Sequence, residues 1–166
     1  MSDMLVSLLS VKPCPELKAK LEEQGIVIRR AMTPDMYRIL PWIEQHSSLS
    51  AKGEAATCFS RQPVSLFIAT KQADIIGYAC YEATCRNFFG PTKVLEEYQG
   101  MGIGKALLIE ALLDMRSIGY AYAIIGGVGP KDFYRKCAGA IEIPDSTPGI
   151  YKDFLGGMQK SNKNIE

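Results

Sequence analysis

Hydrophobic positions change their period several times along the chain, and each change marks an element. Leu107, Leu108, Ala111, Leu112, Met115 and Ile118 recur three and four residues apart, the spacing of one helix face, and predict a long helix. Compact apolar runs at 26–30, 65–70 and 75–81 are rich in β-branched and aromatic residues and predict strands. The last two runs are joined only by the polar turn at 71–74, which predicts an antiparallel hairpin. Further strands are expected at 90–95, 121–125 and 140–143, the last followed by a turn at Thr147-Pro148-Gly149. Pro15 opens a helix that Gly25 closes, and Thr33-Pro34-Asp35 starts a second that runs to about Gln45. Shorter helices are expected at 54–60 and 131–136. No element is assigned to the short apolar stretch at 4–9, which Ser7 interrupts.

A hairpin followed by a strand-helix-strand unit implies an α/β (α+β) fold. The expected sheet is mixed and mostly antiparallel, flanked by helices, with a right-handed parallel unit in its later part. A chain of 166 residues fits a single core. Lys and Arg number 19 against 18 Asp and Glu, so no overall field draws the chain to nucleic acid or to an acidic membrane. Any anion it binds must be held locally. Five cysteines, an odd number without a Cys-x-x-Cys pair, suggest neither a disulfide framework nor a metal site. The stretch at 4–9 lacks the basic leader of a signal segment, and no run approaches the roughly 20 apolar residues of a membrane span, so a cytoplasmic protein is expected.

The local anion site is the run Gln99-Gly100-Met101-Gly102-Ile103-Gly104, which joins a strand to the long helix. Glycines there leave unpaired amides exposed at the positive end of the helix dipole, and Lys105 adds a counter-charge. A side chain at Gly102 is expected to close this space. A P-loop is excluded because Gln99 stands where its first glycine belongs and Ala106 where its hydroxyl belongs. The dinucleotide fingerprint meets Lys105 or Leu107 at its last glycine, depending on where it starts. A tight turn without a ligand is the alternative.

The set Gln99-x-x-Gly102-x-Gly104, preceded by Tyr98 and followed by an apolar helix, resembles the coenzyme A signature of the GCN5-related N-acetyltransferases. The resemblance covers about residues 26–145 and includes Ile76-Gly77-Tyr78 and Phe133-Tyr134-Arg135-Lys136. It implies an acetyl-CoA-dependent N-acetyltransferase acting by direct attack on the thioester. Amides of Gln99, Gly100, Met101, Gly102, Ile103, Gly104 and Lys105 would hold the pyrophosphate, and backbone at Val94 and Leu95 would pair with the pantetheine arm. It divides the chain into an N-terminal accessory segment with a helix (1–25), the acetyltransferase domain (26–157) and a polar tail (158–166). The implied partner is a primary amine of a small molecule or a peptide, and a homodimer is compatible with the fold. A coenzyme A-binding sensor without turnover is the second reading.

For the chemistry, the resemblance implies that Tyr134 gives a proton to the departing sulfur. Glu82 and Glu96 are the candidate bases for the amine. His46 is the only histidine, and Cys137 has no sequence-level partner to activate it. Tyr37, Trp42, His46, Phe59 and Arg61 belong to the segment expected to line the acceptor pocket. Three departures from the family pattern stand out: Glu96 in place of proline, Gly127 in place of asparagine, and one extra residue between Lys136 and Ala140.

Overall fold

The expected hairpin lies inside the sheet, one strand in from its edge. In a computed structural model that describes residues 1–156, strand β1 (Met4–Ser7) leads to helix α1 (Pro15–Glu23), strand β2 (Ile26–Arg30), helices α2 (Met36–His46) and α3 (Leu49–Cys58), and the paired strands β3 (Leu66–Lys71) and β4 (Asp74–Tyr81). Strand β5 (Phe88–Val94), the long helix α4 (Ile103–Ser117), strand β6 (Tyr122–Ile125), helix α5 (Lys131–Ala138) and the short strand β7 (Ile141–Glu142) complete the order. The polar tail expected at 158–166 lies outside the described residues.

Seven strands form one sheet in the order β2-β3-β4-β5-β6-β1-β7. Neighbours are antiparallel except β5 and β6, which run parallel and make β5-α4-β6 the expected crossover unit. Core residues divide between the two faces. Leu107, Leu108, Leu112 and Met115 of α4 pack into one cluster with Ile28, Phe67 and Ile76, while Ile39 and Ile43 of α2 pack with Cys58, Ile68 and Tyr78 in the other. Arg30 ties β2 to β4 and α4 by donating to the Tyr81 hydroxyl at 2.9 Å and to Asp114 Oδ1 at 2.8 Å. Among the described residues no helix is long and apolar enough to cross a membrane.

Two elements differ from the sequence reading. Helix α3 begins at Leu49, earlier than expected, because Ser48 Oγ accepts the Ala51 N–H at 3.0 Å and caps it. Gly53 is carried within the helix rather than breaking it. The larger difference is β1. Residues 1–25, set apart as accessory, place a strand inside the sheet, with Met4 opposite Ile125 on one side and Glu142 on the other. Met4 and Val6 are fully buried, yet an alternation of only four residues is too short to show as a period in sequence.

Candidate active site

The glycine run is pinned at both ends. Gln99 Nε2 donates to the Val94 carbonyl at 3.1 Å, and Leu95 N–H donates to the Ile76 carbonyl at 3.0 Å, so the loop is fastened to the ends of β5 and β4. Gly100 and Gly102 have φ of 79° and 93°, conformations that favour glycine. Gly102 caps α4, and its carbonyl accepts the Ala106 N–H at 2.9 Å. Amides of Ile103, Gly104 and Lys105 are thereby left without an acceptor among the described residues, at the positive end of a helix of 15 residues.

A groove leads away from these amides. Strand β5 pairs with β4 along its length but with β6 only at Phe88↔Ile124 and Phe89↔Ile125. Residues 90–94 therefore have no strand on the β6 side, an open backbone edge of roughly 16 Å at 3.3 Å per residue. The ring of Phe133 from α5 faces Gly104 and Val94: its Cζ lies 3.5 Å, and Val94 Cγ2 3.8 Å, from where a Gly104 Cβ would stand. Beside it, Tyr134 is buried between Phe133 and Phe89, with ring centroids 5.0 and 6.2 Å away. Burial, and secondarily Cys137, push its hydroxyl up to about 12. It stays protonated at neutral pH, and its hydroxyl has no hydrogen-bond partner among the described residues. Gly126 and Gly127 stand at the apex of the groove, where β5 and β6 separate. The ring of Tyr151, from the turn Gly149–Tyr151, lies over them, with its hydroxyl and the Phe88 ring both against Gly126.

The expected site residues are distributed unequally. Val94, Leu95, the 99–105 loop and Tyr134 all border the groove. Lys105, exposed on α4, lies within the electrostatic reach of Cys14 and Cys137. Glu96 is exposed in the turn before the loop, at the amide end of the groove. Glu82 is buried in the β4–β5 turn, where it accepts from Arg61 Nη1 at 3.3 Å, the Tyr120 hydroxyl at 3.0 Å and the Asn87 N–H. The Phe88 and Phe89 pairs with β6 stand between it and the groove, and its oxygens are already engaged. The residues expected to line an acceptor pocket are not gathered in one place: Trp42 lies tilted against His46 within α2, ring centroids 4.5 Å apart, Tyr37 is 83% exposed, and Arg61 is held by Glu82.

Two groups at the site were not legible in sequence. Leu17 of α1 packs on the loop, its Cδ1 only 2.7 Å from where a Gly102 Cβ would stand, so the side-chain direction of Gly102 points at α1 and away from the phosphate space assumed for it. Asp3, just before β1, accepts the Gly127 N–H through Oδ1 at 2.8 Å. No motif surrounds either residue.

Solved structures share this architecture. A glucosamine N-acetyltransferase region, GCN5-related, of a fungal multi-domain β-N-acetylglucosaminidase superposes with a TM-score of 0.67 at 14% identity, over 86% of this chain and 19% of that one. A GCN5-related N-acetyltransferase from Sphaerobacter thermophilus gives 0.61 at 20% identity, over 86% of this chain and 48% of its own. The chain thus spans about a fifth and about half of these two proteins, and at such identities the likeness carries the fold. No curated protein matches the chain in sequence. Residues 28–139, most of the sheet with the glycine loop and α5, match the profile of the acetyltransferase (GNAT) family. The chain belongs to this family, whose donor is acetyl-CoA.

Proposed function

We propose that the protein transfers the acetyl group of acetyl-CoA to a primary amine of a small molecule or a peptide, by direct attack of the amine on the thioester. The observation that carries this reading is the open edge at 90–94, which runs from the unpaired amides of α4 toward Tyr134, a buried ring whose unpartnered hydroxyl is still accessible. The residues present fit the donor. Ile103, Gly104 and Lys105 offer amides to the pyrophosphate, Gly100 and Gly102 keep side chains out of the turn, and residues 90–94 offer backbone donors and acceptors to the amide-bearing pantetheine arm. Bound there, acetyl-CoA supplies an activated acyl carbon at the apex. Tyr134 holds a proton for the sulfur that leaves, and a phenol kept neutral by burial suits that task. Phe88, Phe89 and Phe133 give the groove apolar walls.

Thiol release measured over a panel of amines tests the reading, together with thermal shift against acetyl-CoA, ATP and NAD. Acetyl-CoA should stabilise the fold most, and at least one amine should release thiol. A second reading, a coenzyme A-binding module without turnover, draws on Tyr151, whose ring covers Gly126 and Gly127 at the apex. It predicts stabilisation by acetyl-CoA with no thiol release from any amine.

A further inference from the structure

Glu82 is already engaged by Arg61, Tyr120 and Asn87, and Glu96 stands in the turn before the loop, whereas another carboxylate lies at the apex of the groove. Because β1 runs antiparallel to β6 with Met4 opposite Ile125, Asp3 stands beside Gly126, the first residue past the last β5–β6 pair. Its backbone is held on both sides: the N–H donates to Ser146 Oγ at 2.8 Å and the carbonyl accepts the Ile143 N–H at 2.9 Å. The residue is only 8% exposed. Oδ1 is occupied by the Gly127 N–H, whereas Oδ2 accepts no hydrogen bond, and no Lys or Arg pairs with the carboxylate among the described residues. An ionised carboxylate has room for about four donors, and Oδ2, unlike the sealed Ser65 Oγ, stays accessible to a donor from outside the protein. The natural complement of such a group is a ligand cation.

The surroundings agree in sign. Tyr151 covers the apex, and burial with Glu54 of α3 and then Asp3 nearby pushes its hydroxyl up to about 12, so it remains a neutral donor. Glu54 itself accepts from the Thr84 hydroxyl. Cys85 is the remaining titratable group facing Tyr151, and the neighbouring Glu142 of β7 is paired with Lys131 at 2.7 Å. Two carboxylates and a thiol therefore surround the Tyr151 hydroxyl, without a basic side chain among them.

We infer that Asp3 seats the acceptor's ammonium group and removes its proton, so that the acceptors are alkyl amines that are cationic at neutral pH. The inference rests on the transfer reading above. One N–H proton of the ammonium passes to Asp3 Oδ2, and the freed lone pair bonds to the thioester carbonyl carbon. The carbon–sulfur bond breaks, and the sulfur takes the proton of Tyr134. The second proton shed by the nitrogen, now an amide, returns to Tyr134 through water, and Asp3 releases its own to solvent. The products are the acetamide, free thiol and one proton.

Two substitutions in the full chain test this. Asp3→Asn keeps an oxygen for the Gly127 N–H, Asp3→Ser leaves a shorter hydroxyl in its place, and both remove the charge, so that either folded variant is decisive. With an alkyl amine that the wild type acetylates, kcat/KM at pH 7 falls on the order of 100-fold. The deficit shrinks as the pH rises toward the pKa of the amine, and stabilisation by acetyl-CoA is unchanged. Independently of turnover, the alkyl amine raises the Tm of the wild type saturated with coenzyme A but not that of either variant. Turnover within about threefold of wild type, a deficit equal at every pH, or an amine-induced Tm shift that persists in a variant would each overturn the role of Asp3. Thiol release by no amine in the wild type would overturn the transfer reading instead, while the amine-binding comparison would still decide whether Asp3 forms the seat.

Discussion

Replacing Gly102 with alanine separates two roles that the glycine loop combines. The first cost is backbone strain: at φ of 93° an L-residue occupies left-handed space, at about 1–2 kcal/mol. The second is packing, since the new Cβ would stand 2.7 Å from Leu17 Cδ1 and push a half-buried side chain of α1 off the loop, which adds about 1–2 kcal/mol as a modest overpacking. Together these give about 2–4 kcal/mol, or a Tm lower by roughly 4–16 °C for a domain of this size. Gly100→Ala serves as the control, because φ there is 79° but nothing lies within 4 Å of the Cβ, so only the strain applies. In a double-mutant cycle by urea unfolding, Leu17→Ala should make Gly102→Ala less costly by about 1 kcal/mol or more. Strictly additive costs, or equal losses at Gly100 and Gly102, would refute the argument that α1 clamps the loop through Leu17. The same substitutions report on the cofactor. If Gly102 serves mainly to seat α1, affinity for coenzyme A in Gly102→Ala should recover when Leu17 is also shortened.

Tyr134→Phe should lower turnover tenfold or more while coenzyme A affinity stays within a few-fold, checked by thiol release and by thermal shift; unchanged turnover would remove Tyr134 from proton donation. Because its hydroxyl is raised from 10 to about 12 in the fold, its contribution to stability is complete below pH 10 and is lost as the pH climbs through 12. It amounts to roughly 3 kcal/mol, so melting curves of the wild type should fall more steeply than those of the phenylalanine variant over that window. Glu82→Gln should cost about 1–3 kcal/mol, since a buried carboxylate that joins Arg61, Tyr120 and Asn87 becomes a poorer acceptor. The folded variant should nevertheless keep its turnover, and a loss of kcat without a loss of stability would return Glu82 to the role of base.

The donor half of the site was legible in sequence because its parts are contiguous. Glycines at 100, 102 and 104, the helical period from Leu107 and the strand before them lie within about 30 residues, and each has a local backbone reason that periodicity or turn chemistry exposes. Tyr134 was reached only through resemblance, since nothing in the period of α5 separates a proton donor from a packed aromatic residue. The acceptor half was not legible, for a topological reason. Its apex is assembled where β5 parts from β6, and the groups that meet there, Asp3, Glu54, Phe88, Gly126 and Tyr151, come from five separate stretches spread over nearly the whole chain. What brings Asp3 into place is a four-residue strand that enters the sheet between β6 and β7, too short to announce itself. The carboxylates picked from sequence were taken from the ends of expected strands, Glu82 just past the third and Glu96 on the fourth, and in the fold Glu82 is engaged by Arg61, Tyr120 and Asn87 while Glu96 stands exposed before the loop. A base for this chemistry needs only to reach one nitrogen at the end of the groove, and β1 places the first acidic residue of the chain there, with one oxygen still unpaired.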